Sequence, residues 1–239
     1  MQASSPRKQV LCLHGFNQNS LSFSKRIKVL TKFLSDTYSL DFLFPNAPFL
    51  LSPSQEAFPE EEKLYGWLYF DENDKLLTFD KIKTLFTQET LEYKGFPISQ
   101  ASIEAFLAPY DNIVAILAFS QGALLATLLL IQAYEKKLKV NLLKSLKCCI
   151  LISGLGKPMP NNNEIENISL YYEGRKSIEI PVLLVRGKKD EFITKDQNEA
   201  LCKYFKNYEL WEHEGKHFVP SKKEDLLIYK NFLDKYLKE

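Results

Sequence analysis

Ser120, Asp190 and His217 are the residues of this chain whose types and order could carry nucleophilic catalysis. A serine hydroxyl is a weak nucleophile until a neighbouring base takes its proton. The chain has three histidines, His14, His213 and His217, so the base comes from a short list. A carboxylate bonded to the far nitrogen of the imidazole orients the ring and stabilises its protonated form. Serine, then acid, then histidine is one of the orders in which this trio recurs. His213 stands closer to its strand and is an alternative base; Glu191 is an alternative acid. The acyl transfer such a trio performs requires no metal and no organic cofactor.

The setting of Ser120 supports that reading. Ile113 to Ala118 reads as a buried strand, and Ala123 onward as a helix of Ala and Leu, with Phe119-Ser120-Gln121-Gly122 between them. A sharp strand-to-helix turn of this kind exposes the serine hydroxyl and leaves backbone N–H groups at a helix start, where negative charge is favoured. The turn needs small residues two before and two after the serine. Gly122 meets that need, and Ala118 stands where glycine is usual. The stretch is also long enough for a membrane helix, but Ser-Gln-Gly interrupts it and no basic residues flank its start. A core strand and helix with a chemically idle serine is the plainer alternative.

An oxyanion needs two preorganised donors. The backbone N–H of Gln121, directly after the serine, is one candidate. The N–H of Phe16, in the loop His14-Gly15-Phe16 after the first strand, is the other. Gly15 permits close backbone approach, and His14 reads as a loop-shaping residue through its ring hydrogen bonds. The role of Asp190 competes with turn formation after Gly187-Lys188-Lys189. The role of His217 competes with an ordinary helix-entry loop.

Composition narrows the class. The chain has 239 residues, 45% hydrophobic and 26% charged, which fits one domain over residues 1–239 with a sizeable core. Thirty-one basic and thirty acidic residues leave a net charge of +1, so neither nucleic acid nor an anionic membrane is an expected partner. The four cysteines, Cys12, Cys148, Cys149 and Cys202, show no metal-ligand spacing and read as free thiols in a reducing compartment. Met1 to Gln9 carries no apolar signal segment. A cytoplasmic protein without a stable membrane anchor is expected, with a nuclear location left open. Nothing in the sequence sets an oligomeric state.

Apolar strands alternate with amphipathic helices. Strands are expected at Lys8–Leu13, Leu40–Phe44, Ile113–Ala118, Cys148–Ile152, Ile180–Val185 and Tyr208–Trp211. Helices are expected over Leu21–Leu34, Ile98–Leu107 (capped by Ser99 or Ser102), from Ala123, from Thr194-x-x-Gln197 to about Phe205, and from Ser221-x-x-Glu224. The pattern implies an α/β fold with a mostly parallel central sheet and helices on both faces. Sites in such sheets form beyond the carboxyl ends of the strands. His14, Ser120, Asp190 and His217 all follow strands and belong on that edge. Residues 46–97 break the pattern with prolines and aromatics and read as a cap-like or pocket-forming insert. Phe49, Leu50, Leu51, Tyr65, Trp67 and Tyr69 are its candidate acyl-pocket wall, or else core packing beneath a long loop. Pro158–Ser177, with Asn161-Asn162-Asn163, reads as a polar excursion.

Five segments together resemble one family. They are His14-Gly15-Phe16, Pro45-Asn46-Ala47-Pro48, Ala118-Phe119-Ser120-Gln121-Gly122, Gly187-Lys188-Lys189-Asp190 and His213-Glu214-Gly215-Lys216-His217-Phe218-Val219-Pro220. In order and spacing, over about Lys8 to Leu237, they resemble the FSH family of serine hydrolases, small α/β-hydrolases of the carboxylesterase type. The resemblance implies that Ser120, Asp190 and His217 cleave a small-molecule ester, possessing an acyl chain or not, through an acyl-enzyme. Members commonly have Gly at position 118 and Asp at position 46 of this chain. An acyl-protein or acyl-CoA thioesterase is the near alternative, because that group shares the Phe-Ser-Gln-Gly turn. A catalytically silent fold of the same type that binds small molecules is the alternative from another class.

Overall fold

The computed structural model describes residues 7–51, 58–69, 93–156, 170–171 and 173–238. Six parallel strands form one sheet in the order β2-β1-β5-β6-β7-β8. They are β1 (Lys8–Leu13), β2 (Leu40–Leu43), β5 (Ile113–Phe119), β6 (Cys148–Ile152), β7 (Val182–Gly187) and β8 (Tyr208–His213). A separate antiparallel pair, β3 (Phe49–Leu50) and β4 (Tyr65–Gly66), lies within the expected insert. The helices are α1 (Ser20–Arg26), α2 (Lys28–Tyr38), α3 (Phe96–Leu107), α4 (Gln121–Tyr134), α5 (Lys195–Cys202) and α6 (Lys223–Leu237).

The central strands are covered on both faces, which is why β5 and β6 read as unbroken apolar runs. One core layer joins Ile116, Ala118 and Leu151 to α3, α4 and α5. The other joins Leu117, Phe119 and Ile150 to Phe23, Leu30, Leu34, Tyr229 and Phe232 of α1, α2 and α6. Strand β8, at the sheet edge, instead alternates exposed and partly buried positions. In α4 every residue from Gln121 to Gln132 is buried, so its all-round apolar sequence reflects a central helix packed on several sides. Among the described residues no helix is long and apolar enough to cross a membrane.

Several expected boundaries move. The helix expected over Leu21–Leu34 is two, because the backbone leaves helical geometry at Ile27 (φ −100°, ψ 13°). That break keeps Phe23, Ile27, Leu30 and Leu34 all against the same core layer. Helix α3 starts earlier than expected, at Phe96, with Gly95 in left-handed geometry (φ 89°) and Pro97 in the first turn. Ser99 is therefore no cap: it lies inside the helix and its hydroxyl donates to the Trp67 carbonyl. The box expected from Ser221 is shifted by one residue, since the Lys222 N–H donates to Asp225 Oδ2 at 2.8 Å. The Thr194–Gln197 box forms as expected. Residues 52–57 and 70–92 of the expected insert and Asn161–Asn163 lie outside the described residues.

The tightest point joins α4 to β1. A Cβ on Gly122 would sit 2.4 Å from the Leu13 carbonyl oxygen and 2.6 Å from that of His14. Alanine ordinarily favours a helix over glycine by about 1 kcal/mol, but here its methyl group meets backbone that cannot swing aside. Gly122→Ala is expected to destabilise the protein by about 1–3 kcal/mol. Urea unfolding measures this, and an unchanged or raised midpoint would contradict the close approach.

Candidate active site

Strand β5 delivers Ser120 to the carboxyl edge of the sheet in strained geometry, φ 54° and ψ −119°. A non-glycine residue there costs about 1–3 kcal/mol and persists only where the surroundings over-determine it. They do so here. The Ser120 N–H donates to the Ile152 carbonyl at 2.8 Å, and its own carbonyl accepts from Ala123 and Leu124 at 2.9 and 3.3 Å. Strand, turn and helix are thus locked together, with Ser120 at the cap of α4. Ala118 is fully buried between Leu13 of β1 and Leu151 of β6, so its methyl group belongs to the core.

Two loops bring Asp190 and His217 to this edge. Gly187 ends β7, and a Cβ there would stand 2.4 Å from the Lys216 carbonyl oxygen and 2.5 Å from that of Gly215. The loops therefore cross backbone to backbone. Lys188 and Lys189 N–H groups donate to His213 and Gly215 carbonyls at 2.8 and 3.0 Å and fasten the crossing. Asp190 Oδ1 accepts from the N–H groups of Phe192 and Ile193 at 2.9 and 3.0 Å. Its Oδ2 lies 2.7 Å from His217 Nδ1. His217 Nε2 lies 3.0 Å from Ser120 Oγ. The imidazole is flanked by the rings of Phe119 and Phe192, with centroids 4.9 and 5.1 Å away.

The electrostatics suit this arrangement. Burial works against ionisation of Asp190, whose side chain is 1% exposed. The hydrogen bond and charge of His217, with the Ile193 and Phe192 N–H groups, outweigh it and hold the carboxyl below its ordinary range. An ionised Asp190 accepts from Nδ1–H, which leaves Nε2 of a neutral ring facing the Ser120 hydroxyl. That is the arrangement in which the ring can accept the serine proton.

The alternatives point elsewhere. His213 Nδ1 accepts from the Gly215 N–H at 3.2 Å, and its ring packs on Trp211 and Phe218. Glu191 is exposed and pairs with Lys216 at 3.2 Å. Among the described residues no three His, Cys, Asp or Glu side chains gather as a metal-binding group.

His14 is buried at the end of β1. Its Nε2 accepts from the Ala47 N–H at 3.1 Å and its Nδ1 lies 2.7 Å from the Gly15 carbonyl, so the ring bridges two loops. Gly15 approaches Phe119, and its N–H donates to Gln18 Oε1 at 2.8 Å. The Phe16 ring rests against Gly66 of β4, where a Cβ would be 3.1 Å away. Of the expected pocket wall, Trp67 is fully buried, its ring 5.0 Å from that of His14 and its Nε1–H donating to the His14 carbonyl at 2.9 Å. Phe49 and Tyr69 meet edge to face.

Two contributors are not marked by any local sequence signal: Phe192 and the carboxamide of Gln121. Gly187 is marked by its spacing to Asp190, and its close approach to Gly215 and Lys216 emerges only in the fold.

Burial pushes the His14 ring down to about 4 from 6.5, against the Gly15 hydrogen bond. The unfolded chain therefore binds a proton that the folded chain refuses between those values. His14 contributes stability that is fully present above pH 6.5 and is lost as pH falls toward 4, about 3 kcal/mol in all. Urea unfolding of the protein across this window should show that slope, and His14→Gln should flatten it. A variant that kept the full slope would rule out His14 as its source.

A family model described as "Serine hydrolase (FSH1)" matches residues 1–227. The protein "Esterase GA18864" of Drosophila pseudoobscura pseudoobscura is 29% identical over 232 residues, covering 97% of this chain and 72% of that one. "Esterase OVCA2" of Xenopus tropicalis is 29% identical over 238 residues, covering 96% and 93%. The crystal structure of esterase PE8 superposes with a TM-score of 0.59 at 20% identity, covering 96% of this chain and 93% of that one, a likeness of fold. The sheet and its flanking helices form an α/β-hydrolase fold, and the chain belongs to the FSH1 family of serine hydrolases.

Proposed function

We propose that this serine hydrolase cleaves small-molecule carboxylic esters through an acyl-enzyme on Ser120, with His217 as base and Asp190 as the acid that orients it. The observation that carries the reading is the connected path from Ser120 Oγ to His217 Nε2 at 3.0 Å and from His217 Nδ1 to Asp190 Oδ2 at 2.7 Å. Relatives named as esterases support the ester as substrate class.

The cycle follows from the geometry. His217 takes the Ser120 proton as Oγ attacks the ester carbonyl, and Asp190 stabilises the resulting imidazolium. The oxyanion accepts from the N–H groups of Gln121 and Phe16, aided by the start of α4. His217 returns the proton to the leaving alcohol. Water, deprotonated by the same ring, then attacks the acyl-enzyme; Ser120 recovers its proton and the acid departs. The described residues 65–69 of the insert supply part of the wall of the acyl site. The contact of Phe16 with Gly66, and of His14 with Trp67, supports that role by bringing this segment to the same edge.

A fluorophosphonate probe, which captures activated serines, tests the nucleophile. The wild type should be labelled and Ser120→Ala should not. Ser120→Ala is expected to lose at least about 10⁴-fold in kcat on a p-nitrophenyl ester. Asp190→Asn should lose about 10⁴-fold, by favouring the wrong imidazole tautomer. An unlabelled wild type would point to a binding protein. Markedly faster turnover of a matched thioester than of the ester would replace the esterase reading with a thioesterase.

A further inference from the structure

Gln121 is 3% exposed and directly follows Ser120. Its backbone belongs to the turn, but its side chain serves another segment. The carboxamide oxygen accepts from the Trp67 N–H at 2.7 Å and the Leu68 N–H at 3.3 Å. Its Nε2 donates to the Leu68 carbonyl at 2.8 Å. One side chain thus does what a neighbouring strand would do, pairing the backbone of a buried segment. Trp67 and Leu68 are both fully buried, so losing these partners would strand backbone polar groups away from water.

The pinned segment reaches onward. Trp67 Nε1–H donates to the His14 carbonyl at 2.9 Å. His14 fixes Gly15 and Ala47 through its ring. Gln18, which holds the Gly15 N–H, accepts at its own carbonyl from the Tyr65 N–H at 2.9 Å. A polar path therefore runs from the residue after Ser120, through positions 65–68, to the loop that carries Phe16. The two N–H groups assigned above to the oxyanion sit on its two ends.

Resting on the esterase reading, we propose that the Gln121 carboxamide is a positioning residue: through Trp67 and His14 it sets the Phe16 loop against the turn of Ser120. Donors on two separate loops stabilise an oxyanion only if their spacing is fixed before the reaction. Transition-state stabilisation, more than substrate binding, therefore depends on this side chain.

Gln121→Leu removes the carboxamide and keeps the volume. On a short-chain p-nitrophenyl ester, kcat should fall about 10–100-fold with KM within about twofold. The pH profile should keep its shape, because Asp190 and His217 are untouched. Trp67→Phe, which removes the Nε1–H, should lower kcat in the same direction, and the double variant should fall little below Gln121→Leu alone. Amide hydrogen exchange gives a readout without turnover: residues 14–18 and 65–69 should exchange faster in Gln121→Leu. Unchanged kcat in either folded variant, a loss confined to KM, losses that multiply in the double variant, or unchanged exchange would each overturn the proposal. If Gln121→Leu fails to fold, Trp67→Phe alone decides by its kcat. A wild type that neither turns over esters nor takes the probe would defeat the esterase reading, and the exchange arm would still decide whether the clamp exists.

Discussion

Backbone meeting backbone at the carboxyl edge of the sheet is the constraint on which this site depends. Gly122 lets α4 lie on the carbonyls of Leu13 and His14, and Gly187 lets the Asp190 loop lie on the His217 loop at Gly215 and Lys216. At both places a single methyl group would collide with main chain. The first approach joins the turn of Ser120 to the His14 loop; the second joins Asp190 to His217. Neither glycine touches a reacting atom. Together they bring parts from four regions of the chain within hydrogen-bond reach. Close packing converts small backbone displacements into lost alignment, so tight contacts of this kind are a condition of preorganisation.

Strain at Ser120 belongs to the same economy of space. The left-handed backbone there is held by bonds to Ile152, Ala123 and Leu124. Those bonds come from the β5–β6 ladder and helix α4, both buried where they meet the turn. A flexible loop could not hold such a geometry. The strand-to-helix turn is therefore placed at the centre of the sheet, where both cores converge, while Asp190 and His217 arrive on longer loops joined by their own contact.

The sequence made the centre of this design readable and its couplings opaque. Strands β5 and β6 are recognisable because burial on both faces leaves only apolar residues. Ser120, Asp190 and His217 are readable because the open parallel sheet sends every strand end to one edge, so topology does the gathering. Helix starts were less legible. Ser99 looks like a cap but binds Trp67, a partner far away in sequence. Ser221 lost the cap to its neighbour because Asp225, not Glu224, reaches the free N–H. The Gln121 carboxamide could not be read at all: its partners lie in a segment with neither helical nor strand periodicity. Local pattern reports burial and period; it does not report which distant backbone a polar side chain will satisfy.

The histidines show environment deciding what residue type leaves open. His14 and His217 both follow strands, and both have each ring nitrogen beside a polar atom. His14 is buried without a carboxylate partner, between a carbonyl and an N–H, and its ring is pushed down to about 4. A ring held neutral in that way is a fixed bridge, well suited to hold a loop and poorly suited to take up a proton. His217 faces an ionised carboxylate on one side and a hydroxyl on the other, with part of its surface open. The same side chain thus bridges two loops at one strand end and stands between a carboxylate and a hydroxyl at another, and the difference lies in what stands opposite Nδ1.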